Sequence, residues 1–233
     1  MGFLDFLFKK KNVDNENNKN KGEVFEESLL NKYGECKTYT NFGLKILFIT
    51  DTHNCLAYTD KYLNELKSLY ETDYDLCLIL GDLSRLDIDE IKRIIPNEKL
   101  YGIVGNHDSL KFLETSGVKD INGKVITCKG VKIAAIMGSN KYKDGDYGMQ
   151  TQEESILLSE NMEEADILIS HDKKFDYNKI KDPAHQGLIG ITDYLFKNKI
   201  PVHIHGHLHE ETEEILRNGT KSICLYQVKL LEI

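Results

Sequence analysis

Between residues 45 and 209 the chain repeatedly builds a short apolar run and then breaks it off on Gly, Asp, Asn or His. Runs of that length bounded by turn residues read as buried strands. Lys45-Ile46-Leu47-Phe48-Ile49-Thr50 stops at Asp51-Thr52-His53, and the run at 75–80 stops at Gly81-Asp82. The run at 100–104 ends in Gly105-Asn106-His107-Asp108, that at 165–169 in Ser170-His171-Asp172, and that at 201–205 in Gly206-His207-Leu208-His209. In an extended chain residues i and i+2 share a face, so Asp51 and His53 are expected side by side. Open α/β sheets hold their ligands beyond the carboxyl ends of the strands. If these strands run roughly parallel, their ends gather two carboxylates, one amide oxygen and five imidazoles along one edge. Each residue alone has a plainer reading: an Asp capping a helix, a Gly-Asp turn, a buried and satisfied His. The same coincidence at five strand ends argues for a site.

The segments between the runs set the architecture. Apolar residues recur at helical spacing over 60–70 and over 87–95, the latter closed by Pro96. Strand, helix, strand, helix, strand at this pitch implies parallel βαβ units. Beyond residue 120, Asn122-Gly123 and Lys129-Gly130 punctuate short strands, one of them at 131–137, and 141–148 is a polar, Gly-rich loop. Helices are expected at 152–160 and 187–197. Asn218-Gly219 joins strands at 211–216 and 221–226, and 228–233 forms a last strand. Strands accumulate toward the C-terminus, which implies two packed sheets with helices outside. Upstream, 23–33 is expected to be a helix packed on the body and 36–40 an edge strand.

Composition narrows the function. The formal charge is 30 − 38 = −8, which disfavours a protein that grips nucleic acid by bulk electrostatics. Five cysteines at irregular spacings, with no CxxC, fit reduced thiols and a cytoplasmic location. No apolar run approaches the ~20 residues needed to span a bilayer. Residues 1–8 are apolar and Lys9-Lys10-Lys11 follows, with no small-residue cleavage site, and Phe6 breaks the myristoylation pattern. Two readings of residues 1–11 stay open: a weak peripheral contact with an anionic membrane or a protein, or a leader packed on the body or unstructured. Residues 12–21 are almost all Asn, Lys, Asp and Glu and are expected to form a flexible linker.

Asp51-Thr52-His53, Gly81-Asp82, Gly105-Asn106-His107-Asp108, Ser170-His171 and Gly206-His207-Leu208-His209, in this order, resemble the blocks of the calcineurin-like metallophosphoesterases. The resemblance covers about 44–233 and divides the chain into a segment at 1–22, an extension at 23–43 and the domain itself. It implies a four-layer α/β/β/α sandwich of two mixed sheets flanked by helices, with a dinuclear metal site. By position, Asp51, His53 and His209 would hold one divalent ion. Asn106, His171 and His207 would hold the other, and Asp82 would bridge them. Nitrogen and oxygen donors without thiolate suit Mn²⁺ best, with Fe, Zn²⁺ and Ni²⁺ as alternatives. Gly81, Gly105 and Gly206 would let the backbone turn close to the ions. The resemblance implies in-line attack on a phosphoester by a bridging hydroxide. His107 would protonate the leaving oxygen, and Asp108 would orient it or cap the following helix. Asn54, Arg85 and His185 are candidate substrate contacts; the alternative for Arg85 is an ion pair with Asp87 or Asp89. His203 and His205 are expected to be structural. The family often has Gly after the first His and Pro soon after the fourth block, where this chain has Asn54 and Asp172-Lys173-Lys174. The expected substrate is a small phosphodiester such as a cyclic or modified nucleotide. The competing readings are a DNA nuclease on the same blocks and a non-catalytic scaffold.

Overall fold

The computed structural model describes residues 15–36, 38–39, 41–70 and 73–233. The leader at 1–11 and the start of the linker lie outside the described residues. In chain order the helices are α1 (Asn15–Tyr33), α2 (Cys55–Tyr58), α3 (Asp60–Tyr70), α4 (Arg85–Ile94), α5 (Phe112–Ser116), α6 (Gln152–Asn161) and α7 (Ile189–Lys197). The strands are β1 (Lys45–Thr50), β2 (Leu76–Ile79), β3 (Leu100–Gly102), β4 (Lys119–Asp120), β5 (Val125–Cys128), β6 (Val131–Ile136), β7 (Ser139–Asn140), β8 (Met149–Gln150), β9 (Ile167–Ser170), β10 (Val202–His205), β11 (Thr212–Ile215), β12 (Lys221–Cys224) and β13 (Gln227–Glu232).

Two mixed sheets form the body. One has the order β13-β1-β2-β3-β4, the other β11-β12-β10-β9-β6-β5, and β7 and β8 make a small separate pair. β1, β2, β3 and β4 run parallel, as do β6, β9, β10 and β12, while β13, β11 and β5 join antiparallel at the margins. The period-2 alternation of strand side chains then makes the layers. From β1, Ile46 and Phe48 enter the core between the sheets, where they meet Ile133, Ile169 and Ile204 of the other sheet. Their neighbours Leu47 and Ile49 face the opposite way, against Leu66 of α3 and Ile88 and Ile91 of α4. On the far side Ala134, Ile136 and Leu168 pack under α7 and α1 through Tyr194, Leu195, Phe196, Phe25 and Leu29. The result is α/β/β/α.

Two expectations at the N-terminal side change. The flexible linker gives way to helix from Asn15 onward. Once Phe25 and Leu29 pin the later turns, each added residue gains a backbone bond without a new nucleation cost. Among the described residues of the edge strand expected at 36–40, Cys36, Thr38 and Tyr39 are irregular; 37 and 40 lie outside the described residues. Ion pairs also bind α1 to the body, Lys174–Glu26 at 2.6 Å and Arg217–Glu27 at 3.2 Å.

Candidate metal centre

Because β1, β2 and β3 are parallel, as are β9 and β10, their carboxyl ends meet at one edge of the sandwich. Two donor groups form there. Asp51, His53 and His209 make one and Asp82, His171 and His207 the other, each with ligand atoms within 4.8 Å of one another. Asp51 and His53 do not converge by strand alternation. The strand ends at Thr50, and both residues are left-handed, with φ of 52° and 43°. Asp82, His207 and His209 are left-handed too (58°, 70° and 53°), as is Asn54. Non-glycine residues held there cost roughly 1–3 kcal/mol each, a concentration of strain typical of functional sites.

The carboxylates divide their oxygens. Asp51 Oδ2 accepts from Thr50 Oγ1 (2.6 Å) and from the His207 amide (2.8 Å). Asp51 Oδ1 is buried with no hydrogen-bond partner among the described residues, 3.4 Å from His209 Nε2. Asp82 Oδ1 accepts from the His107 amide (2.8 Å), and its Oδ2 lies 3.5 Å from His171 Nε2 and 3.9 Å from His53 Nε2. One oxygen of Asp82 therefore reaches between the two groups. Asn106 joins the second group, its Oδ1 2.8 Å from His171 Nε2.

The imidazoles are turned for ligation. His171 Nδ1 donates to the Leu80 carbonyl (2.8 Å), which leaves the Nε2 lone pair facing Asp82 and Asn106. His207 Nε2 donates to the Ala184 carbonyl (2.7 Å), leaving Nδ1 as its lone-pair atom. His53 and His209 bring their Nε2 atoms within 3.2 Å. Imidazole nitrogens and carboxylate oxygens drawn this close, together with the orphaned Asp51 oxygen, fit cations between them. Donors about 2.1 Å from one ion sit about 3.0–3.5 Å from each other. Burial opposes ionisation of Asp51, but His209, His171, Thr50 and the His207 amide outweigh it and hold the carboxyl well below its usual range. Burial, with His171 nearby, pushes His207 down to about 3. For His171 burial is outweighed by Asp82 and Asp51, so its pKa rises.

The remaining candidates separate. His107 is exposed, its ring centroid 5.5 Å from that of His53. Asp108 does not orient it: Asp108 Oδ2 accepts from the amides of Gly105 and Asp82, both at 2.8 Å, tying two strand ends together. Nor does it cap a helix, since α5 begins after Lys111. Burial and the neighbouring Asp82 push Asp108 up to about 7. Arg85 is turned away from the centre: at the start of α4 it donates to the Thr115 carbonyl (2.6 Å) and pairs with Asp89 (3.6 Å). Asn54 is exposed and precedes α2 without a side-chain cap. His185 pairs with Asp182 (2.9 Å) and lies 5.2 Å ring to ring from His207, so its turn borders the site. His203 and His205 are buried and stacked, with His203 between Ser170 and Ser222 (2.7 and 3.1 Å).

Three residues escape sequence reasoning. Buried Asp87 accepts from Thr52 Oγ1 (2.7 Å) and from the amides of Asn54 (2.7 Å) and Ala57 (3.1 Å), clamping the loop that carries His53. Its sequence signal was Ser84-x-x-Asp87, a capping box three residues earlier than the expected helix start. Tyr226 stacks on His209 at 5.2 Å, and Tyr142 accepts from Asn106 Nδ2 at 3.0 Å. Nothing in the local sequence marks either.

Fold and donor set together define a metal-dependent hydrolase. The model of the calcineurin-like phosphoesterase family matches residues 44–211, and the chain belongs to that family. It is a phosphoric ester hydrolase. No curated protein matches it in sequence. Solved structures with the same fold include phosphopantetheinyl hydrolase (PptH) from Mycobacterium tuberculosis, 13% identical, with a TM-score of 0.55 over 81% of this chain and 91% of that one. TT1561 of Thermus thermophilus is 11% identical, with a TM-score of 0.53 over 83% and 95%. The 5'-nucleotidase from Candida albicans is 12% identical, with a TM-score of 0.52 over 83% of this chain but 47% of that one.

Proposed function

We propose that the chain is a two-metal phosphodiesterase acting on a small phosphodiester such as a cyclic or modified nucleotide. The observation that carries the reading is Asp82, one carboxylate oxygen shared between two donor groups, with Asp51 holding a bare oxygen on one side and Asn106 an amide oxygen on the other. Two divalent ions bound there, Mn²⁺ on the donor chemistry, would polarise the phosphoryl group and activate water. The chain's own residues set the rest. His107, exposed beside His53, would hold a proton for the leaving oxygen, and its amide donates to Asp82.

The preference for a diester rests on the cations. A dianionic monoester is best gripped by guanidinium forks. All three arginines are engaged elsewhere, Arg85 with α5 and Asp89, Arg93 with Glu90, and Arg217 with α1. A monoanionic diester asks less of the site. The intact donor set speaks against a scaffold, and the charge of −8 against a nuclease. All five cysteines are free, in keeping with a reducing cytoplasm. No helix of the described residues is long and apolar enough to cross a membrane.

The test is hydrolysis of bis-p-nitrophenyl phosphate against p-nitrophenyl phosphate with added Mn²⁺. The diester is expected to be the better substrate, and a strong monoester bias overturns the preference. His107→Ala is expected to lower kcat by about 10²–10⁴-fold while metal content stays unchanged. Failure of wild type to hydrolyse either ester with metal bound would favour the scaffold.

A further inference from the structure

Asn106 differs from the other donors in having two unlike ends. Its oxygen can face a cation; its NH2 cannot. A half-turn about the terminal torsion, which is broad for Asn, exchanges the two. In this structure Oδ1 faces His171 Nε2 at 2.8 Å and Nδ2 donates to Tyr142 Oη at 3.0 Å. Turned the other way, the amide would donate to His171 Nε2, occupying that lone pair, and its own oxygen would point to Tyr142 and away from the centre.

Tyr142 is held in place by backbone. Its loop joins β7 to β8, with Lys141 N on Gln150 O (2.9 Å) at one end and Gly148 N on Asp108 O (2.9 Å) at the other. A Cβ on Gly148 would lie 2.2 Å from the Gly105 carbonyl, so the loop rests directly on the strand end that carries Asn106. Leu110 N also bonds Asp146 O (3.3 Å). The half-buried phenol is thus built against Asn106 from both ends of its loop.

We infer that Tyr142 is a positioning residue for the second metal ion: its phenol oxygen, by accepting the Asn106 NH2, keeps the amide oxygen turned to the cation. This rests on the two-metal reading above. The experiment is calorimetric titration of metal-free protein with MnCl2 for wild type, Tyr142→Phe, Asn106→Ala and the double variant, with melting curves in EDTA as a folding control. Wild type is expected to bind two ions. Tyr142→Phe keeps the ring, and it is expected to melt with wild type in EDTA and bind the first ion normally. The second ion is expected to bind about 10–100-fold more weakly. In the Asn106→Ala background, Tyr142→Phe is expected to change nothing further, because the amide it positions is gone. A Tyr142→Phe isotherm that matches wild type overturns the inference, as does an equal loss in both backgrounds. Wild type taking up fewer than two ions overturns the two-metal reading itself, and the inference falls with it.

Discussion

Gly105 shows how little room the centre allows. A Cβ there would stand 2.2 Å from Asp82 Oδ1 and 2.6 Å from His171 Cε1, the shared carboxylate and a buried imidazole. Neither is the far end of a flexible side chain, so Gly105→Ala is expected to displace them. Overpacking costs about 1–3 kcal/mol, and metal uptake measured by atomic absorption is expected to fall; full uptake in a folded variant would refute the close fit. His203 gives a pH prediction. Burial, the neighbouring His205 and Lys174 hold its pKa well below the ordinary value, so it is folded in the neutral form. A depressed folded pKa contributes stability that is present above the unfolded value, about 6.5, and is lost as pH falls toward the folded one. Stability by urea unfolding is therefore expected to decline from pH 6.5 to 5. His203→Gln should flatten that decline by up to about 1.4 kcal/mol per pH unit; parallel curves would dismiss the assignment. Residue identities at the strand ends were legible, because ligand chemistry restricts them to few types. Directions of side chains were not: Arg85 and Asp108 had suitable chemistry and point elsewhere.

The turn after β1 and the start of α4 work as one unit through Asp87. Its carboxylate serves the capping box with Ser84 and three donors of the 52–57 loop. Asp87→Ala would leave the Thr52 hydroxyl and the Asn54 amide without their partner. The expected loss is about 1–3 kcal/mol in stability, with weaker binding of the ion held by His53. Asp87→Asn, which keeps one acceptor oxygen, is expected to fall between; equal denaturation midpoints for wild type and Asp87→Ala would remove the clamp. The elements themselves were readable from period and punctuation. What misled was the conformation just beyond a strand: alternation predicts which residues share a face only while the chain stays extended, and here it turns left-handed at Asp51.

At the scale of the molecule, the centre straddles both sheets. Asp51, Asp82 and Asn106 follow β1, β2 and β3 of one, while His171, His207 and His209 follow β9 and β10 of the other. On the two-metal reading, ions held there would bind the folded state alone, because the unfolded chain has no assembled site. At Mn²⁺ 100-fold above its Kd, each site adds about 2.7 kcal/mol, a rise in Tm of roughly 5–11 °C for a chain of this length. EDTA is expected to reverse it; a Tm indifferent to chelator would show that the ions do not join the sheets.

The order of apolar runs and the residues that stop them were determined by sequence alone, since burial demands apolar side chains at strand positions and metal chemistry demands His, Asp and Asn at their ends. Those constraints act on each position separately and are written locally. Which oxygen of Asp82 faces which imidazole, that Asp87 holds the His53 loop, and that Tyr142 meets Asn106 were decided by how strands, helices and loops of both sheets pack on one another. Contacts between residues 33, 36 or 156 positions apart depend on how whole elements stack, and no local pattern encodes that.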